Sequence, residues 1–297
     1  MLRFSKPKNP GFGIDKDYYL SVLASSSVLP PILAVVNPGG DGGAVPGFGA
    51  PLATEATKQE LSEPLHKGAY AVTTKDRKTV LQMLVVSKEE AGYDPEAFAR
   101  SDLAAGADPE LLARLRGTWN LVQFRFKSHD PAVFPALQFL LSVCVRLASL
   151  SEGVVADPIS QRYMLPQDAL HPTLGDPAFD VRDLVAVKVA GDDAGLSVYT
   201  LGMQKLTLPE FEILGVSEVA EENAIRFLLG LCQWVLRGNL VQPGAKLGDP
   251  QAPMQAAVGG FDRARWEGTP CLELLPPTRM TADEALAVWR QNSRVGF

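Results

Sequence analysis

Between Thr118 and Ser128 the sequence TWNLVQFRFKS alternates without a break. Trp119, Leu121, Gln123 and Arg125 fall on one side, and Asn120, Val122, Phe124 and Phe126 on the other. A period of two is the signature of a β-strand, and a strand with a continuous apolar side must lie against a core. The next segment, HDPAVFPALQFLLSVCVRLASLSEG, changes to the spacing of a long apolar helix that begins at Asp-Pro and ends near Gly153. A strand feeding a buried helix restricts the chain to layered architectures of sheet and helix.

The same alternation recurs along the chain. GAYAVTT and KTVLQMLVVS read as strands, rich in β-branched residues and bounded by charged turns. DPEAFARSDL and DPELLARLRG each place an Asp cap before a proline at the first helical position. GVVADPISQRYML reads as a short strand and a turn. After the Pro-rich link from Leu165 to Asp180, VRDLVAVKVAG and AGLSVYTLGM read as two strands joined by a Gly-Asp-Asp-Ala-Gly hairpin in which Asp192 and Asp193 are turn residues. Val216 to Asn239 is the clearest helix, with Ser217 as its cap and Arg237 and Gly238 closing it. Strands at Met254–Val258 and Cys271–Leu275 precede a capped terminal helix, TADEALAVWRQ. No repeat of fixed period emerges.

These elements predict an α+β fold: two related lobes of mostly antiparallel sheet packed with helices, about 66–165 and 181–297, within a single domain over 66–297. Residues 1–65 string Pro and Gly around one apolar run, Ile32 to Val36. They are expected to make no long elements, and to wrap the core or stay partly mobile.

Composition excludes several functions. Lys+Arg 28 against Asp+Glu 34 gives a net charge of −6, which disfavours a broad phosphate-binding face. Cys144, Cys232 and Cys271 are odd in number and without CxxC spacing, which predicts reduced, mostly buried thiols in a cytoplasmic protein, with Cys271 the least buried. No apolar run reaches a membrane span. The glycine-rich NPGGDGGAVPGFG (Asn37 to Gly49) has neither Gly-Lys-Ser/Thr nor GxGxxG opening a helix, so it reads as a loop and no nucleotide cofactor is expected. His66, His129 and His171 stand in unrelated loops, without paired metal-ligand spacing, and no metal is expected. Ser149 and Ser151 lie at a helix end and match no nucleophile motif. Arg125 and Lys127, like Arg162 and Tyr163, put cations beside aromatics, yet no run of basic residues surrounds them.

Paired carboxylates are the remaining route to chemistry. Glu210 and Glu212 alternate along LPEFEIL, and Glu152 and Asp157 flank a short strand. Residues two apart on a strand point the same way, so Glu210 and Glu212 share a face. Such a pair does general acid/base work or holds a divalent ion, or else forms the solvated face of a half-buried strand whose other face carries Phe211 and Ile213.

LSEGVVADPISQRYMLP, then YTLGMQKLTLPEFEILGV and AIRFLLGLCQWVLRGNLVQPGAKLG, in this order, resemble a bacterial family known only as a domain of unknown function. The marks are Thr200, Gly202, Met203, Pro209, Glu210 and Gly238, over roughly residues 65 to 275. Lys205-Leu206-Thr207 stands where an aromatic-glycine pair is common in that family. The resemblance implies one continuous α+β unit and brings no activity. Two functions are therefore expected: a non-catalytic bacterial interaction protein with a protein partner or as a homo-oligomer, accessory to a stress, defence or secretion system; or a hydrolase-type enzyme using Glu210, Glu212, Glu152 and Asp157.

Overall fold

The computed structural model describes residues 14–36, 52–53, 58–74, 77–101, 104, 107–128, 133–169, 180–192, 195–260 and 263–292. The chain is α+β, and its contacts divide it into an N-terminal unit within Gly13–Phe179 and a C-terminal unit within Asp180–Phe297. Each unit holds one sheet.

In the N-terminal unit the sheet has seven strands: β1 (Ile14–Ala24), β2 (Leu52–Ala53), β3 (Gly68–Thr74), β4 (Thr79–Ser87), β5 (Asn120–Ser128), β6 (Val154–Asp157) and β7 (Arg162–Met164). Their order is β2-β3-β4-β5-β1-β6-β7, antiparallel throughout. Short helices α1 (Ile32–Val36), α2 (Lys58–Ser62), α3 (Pro95–Ala99) and α4 (Pro109–Arg116) precede the long α5 (Val133–Leu150). Asp94 and Asp108 cap α3 and α4 by accepting from the N–H of Glu96 and Glu110, as the Asp-Pro signals require.

One expectation for residues 1–65 fails here. Residues 14–24 form an eleven-residue strand in the interior of the sheet, between β5 and β6. The cause is local: Leu20, Val22, Leu23 and Ala24 are all buried, so both faces of this strand end in core, and residues 14–24 themselves contain neither Pro nor Gly. The glycine-rich stretch 37–49, His129, His171 and Asp193 lie outside the described residues.

In the C-terminal unit, α6 (Val181–Leu184) leads into the hairpin β8 (Ala186–Asp192) and β9 (Gly195–Leu201), then β10 (Glu210–Val216) and α7 (Glu221–Leu236). β11 (Lys246–Leu247), β12 (Met254–Gly259), β13 (Cys271–Leu275) and α8 (Ala282–Asn292) complete it. The sheet order is β11-β12-β13-β10-β9-β8, with β10 and β13 parallel. Two local expectations are corrected. VRDL is helical, not extended, because the Asp180 side chain caps it at the Arg182 N–H. α7 begins at Glu221, and Ser217 accepts from the Ala220 N–H in the turn before it. Thr281 and Glu284 form a reciprocal capping box on α8, at 2.8 and 3.2 Å.

The two units share a run of hairpin, third strand and long helix, with matching spacing. β5 and β10 end at Ser128 and Val216, and α5 and α7 begin at Val133 and Glu221, each pair 88 residues apart. The sequence repeats as well: Ala136-Leu-Gln-Phe-Leu-Leu-Ser-Val-Cys144 against Ala224-Ile-Arg-Phe-Leu-Leu-Gly-Leu-Cys232. Phe139, Leu140, Val143, Cys144 and Leu147 are buried, and so are Phe227, Leu228, Leu231, Cys232 and Val235. This is a single pair of matching stretches and not a repeat of fixed period.

Candidate functional site

Glu210 and Glu212 sit on β10, with antiparallel β9 on one side and parallel β13 on the other. The expected solvated face does not exist, since both residues are 0 % exposed. A buried carboxylate is costly unless donors replace its water, and each here is fully supplied.

Glu210 is served by backbone. Its Oε1 accepts from the N–H of Gly202 at 2.8 Å and of Gln204 at 3.1 Å, and its Oε2 from the Thr200 hydroxyl at 2.7 Å. These donors belong to the end of β9 and the 3₁₀ turn Met203–Leu206. The turn can form because residue 202 is glycine: its φ is 135°, and a Cβ there would lie 2.2 Å from the Leu184 carbonyl oxygen. Lys205, also buried, donates to that same carbonyl at 2.6 Å. Burial pushes the Glu210 carboxyl above the usual range, while the Thr200 hydroxyl and the backbone N–H groups pull it down.

Glu212 is served by side chains. Its Oε1 accepts from Ser197 Oγ at 2.6 Å and lies 3.6 Å from Arg265. Its Oε2 accepts from Arg263 Nη1 at 3.1 Å and from Trp266 Nε1 at 2.9 Å. Arg263 also lies 3.7 Å from Glu273, which is in register beside Glu212. Arg265 stacks over the Tyr199 ring at 4.4 Å, and that ring meets Trp266 edge-on at 5.5 Å. Two carboxylates thus face two guanidiniums, and the cluster carries no net charge. The residues Arg263–Trp266 are in effect laid over the sheet, with Trp266 buried against Leu201 and Cys271.

Among the described residues the two carboxylates have no hydrogen-bond partner in common. A general base needs an oxygen that can reach a substrate proton, and every oxygen here is already engaged. Next to the cluster a cleft of about 770 Å³ is lined by Pro209, Val258, Arg263, Trp266, Thr269 and Cys271 among others. Among the described residues its charged walls are Arg263, which is turned to Glu212, and Glu267.

The other nominated pair belongs to the N-terminal unit. Asp157 is buried and accepts from the N–H of Ile159 and Ser160 at 3.1 Å each, with Arg162 at 3.7 Å, so it organises the β6–β7 turn. Glu152 is exposed in the turn after α5, with a φ of 51°. Ser149 and Ser151 donate to the carbonyls of Val145 and Leu147, which accounts for both hydroxyls within α5 and its end. His66 is exposed, and among the described residues no His, Cys, Asp and Glu group is arranged to hold a metal. Among the described residues no helix is long and apolar enough to cross a membrane.

All three thiols are buried, and Cys271, at 4 % exposure against 0 % for Cys144 and Cys232, is the least buried of them, as expected. Its surroundings of low polarity together with Glu212 and Glu210 push its thiol up to about 12. Burial raises the Cys144 and Cys232 thiols well above their ordinary value too. None of the three is poised as a nucleophile.

Sequence reasoning found Glu210 and Glu212 but missed Ser197, Arg263, Arg265, Trp266 and Glu273. Alternation along SVYT carries Ser197 and Tyr199 to one face, and the run Arg-Ala-Arg-Trp at 263–266 is the only sign of the covering segment. That sign is visible in sequence, but its pairing across 51 residues to Glu212 is not.

Comparison with family models, with curated proteins and with solved structures finds no match to this chain.

Proposed function

We propose that the chain is a non-catalytic binding or interaction protein, cytoplasmic and of bacterial type, accessory to a stress, defence or secretion system. The observation that supports this reading is the state of the nominated carboxylates. Glu210, Glu212 and Asp157 are buried and engaged by donors of their own units, and they have no reach toward a substrate. What the described surface offers instead is contact area, above all the open sheet face around Tyr19 and Leu84. The bacterial affiliation rests on the resemblance at Thr200, Gly202, Met203, Pro209, Glu210 and Gly238.

The test is affinity capture with the full chain from a bacterial lysate, paired with light scattering of the purified protein and a hydrolase substrate panel. The reading expects a saturable partner or a stable oligomer, and no turnover. It fails if the chain is a monomer that retains nothing beyond a mock bait. It also fails if a hydrolytic activity appears and is lost in a folded Glu210→Gln variant, which is the outcome the hydrolase alternative requires.

A further inference from the structure

The shared run of hairpin, third strand and helix lets one unit serve as a guide to the other. β10 carries a bulge between Ile213 and Val216, which accounts for one extra residue before the common strand end. With that residue allowed for, Glu212 stands where Arg125 stands on β5. Neighbours across each sheet are in matching register: Glu212 lies beside Tyr199 and Glu273, and Arg125 beside Gln82 and Tyr19.

The two positions differ in what covers them. Over Glu212 the chain lays its own Arg263–Trp266 segment, of opposite charge and with a buried indole. In the N-terminal unit, Phe98, Leu111 and Leu115 cover only the half of this face near Leu23 and Leu121. The other half is exposed: Tyr19 is 40 % and Leu84 43 % accessible, and Gln82, Gln123, Arg125 and Lys127 are exposed beside them. Ala69 and Ala71 leave a trough of about 470 Å³ there.

The charge of this face is distinctive. In a chain with net charge −6, β3, β4 and β5 contain no Asp or Glu, and β5 presents Arg125 and Lys127, both exposed, on this face. Arg125 is held over the Tyr19 ring, 5.4 Å from its centroid, and donates to the Tyr19 hydroxyl at 3.1 Å. That guanidinium occupies one side of the ring that a nucleic-acid base would stack on, so the face suits a peptide better than a single strand.

We infer that this open half-face binds an extended acidic peptide segment of a partner protein, its carboxylates against Arg125 and Lys127 and an apolar side chain in the trough over Ala69 and Ala71. The inference rests on the binding reading above and specifies its surface. The C-terminal unit supplies the precedent in reversed charge: carboxylate on the sheet, guanidiniums and an aromatic on the covering segment. Charge complementarity of this kind governs partner choice and encounter rate more than raw affinity.

The experiment uses the full chain and a fluorescein-labelled peptide of alternating Glu and Leu or Trp, nine residues long to match β4 and β5. Its counterparts are the same peptide with Lys for Glu and a single-stranded oligouridylate. The acidic peptide is expected to bind, to weaken with added salt, and to lose about tenfold in affinity in Arg125→Glu and in Lys127→Glu. Lys127→Glu leaves the Tyr19 contact of Arg125 in place, so it keeps the test valid if Arg125→Glu folds poorly. Lys246→Glu, exposed in the C-terminal unit, is expected to change nothing. Equal binding of the Lys peptide, preference for the oligouridylate, no peptide binding, or indifference to both face variants would each overturn the proposal. A lysate partner retained by both face variants would overturn it too, while leaving the binding reading standing.

Discussion

The third strands of the two units, β5 and β10, are built to the same plan and finished in opposite ways. Both run into a long helix after the same interval, and both keep buried apolar residues on one side, Phe124 and Phe126 in one and Phe211 and Ile213 in the other. On the other side of β5, Gln123, Arg125 and Lys127 meet solvent, while Leu121 is buried. On β10 the residue at the matching place, Glu212, is sealed under Arg263 and Trp266. Polar residues on alternate positions of a strand therefore do not identify a solvated face. What decides is whether a distant segment supplies donors, and a carboxylate with enough of them becomes part of the core.

The sharpest way to break this comparison is to neutralise the matched pair. Glu212→Gln presents an amide to donors on both oxygens and leaves Arg263 and Arg265 under-compensated, so it should cost about 3–5 kcal/mol in urea unfolding. Arg125→Gln, exposed and partnered through Tyr19, should stay within about 0.5 kcal/mol. Equal losses would mean that the two faces are energetically alike.

Gly202→Ala comes next. Its Cβ would fall 2.2 Å from the Leu184 carbonyl, and the turn that delivers two N–H groups to Glu210 would shift. A loss of about 2–4 kcal/mol is expected, with faster amide exchange in β9 and the turn at Met203–Leu206.

Glu210→Gln is a smaller change. The amide oxygen can keep the Gly202 and Gln204 N–H groups, so the cost should be about 1 kcal/mol or less near neutral pH. Its diagnostic is the pH profile. The folded Glu210 carboxyl titrates above its unfolded value because of burial, so folding takes up a proton in that window. Wild-type stability relative to Glu210→Gln should therefore be highest below the unfolded carboxylate range, near about 4.3, and fall as pH rises through the folded value. A profile parallel to that of Glu210→Gln would show that burial does not dominate at this site.

Much of the fold was legible in the residues themselves. Strict alternation gave β5, and Asp-Pro gave α3 and α4, because each signal acts within a few residues. β1 was obscured by the Pro/Gly-rich stretch after it, although Tyr19 to Ala24 has the composition of a core strand. VRDL failed because a capping Asp180 outweighs β-branched neighbours over so short a span. The candidate site was legible in its carboxylates and illegible in their meaning. Local sequence carries Glu210 and Glu212 to β10, but burial of Glu212 depends on Arg263 and Trp266, whose approach is set by the return of β12 and β13. The repeat of the helix stripe was hidden for a similar reason: nine positions gain weight only when both copies are seen to come after a third strand.

The central claim is that Glu212 is a structural counter-ion for the segment covering its sheet, and a double-mutant cycle between Glu212→Gln and Arg263→Gln tests it most directly. The account predicts a coupling of about 1.5–3 kcal/mol in urea unfolding, as for charged partners within one buried network. Additive single effects would contradict it, and would return Glu212 to the groups available for chemistry.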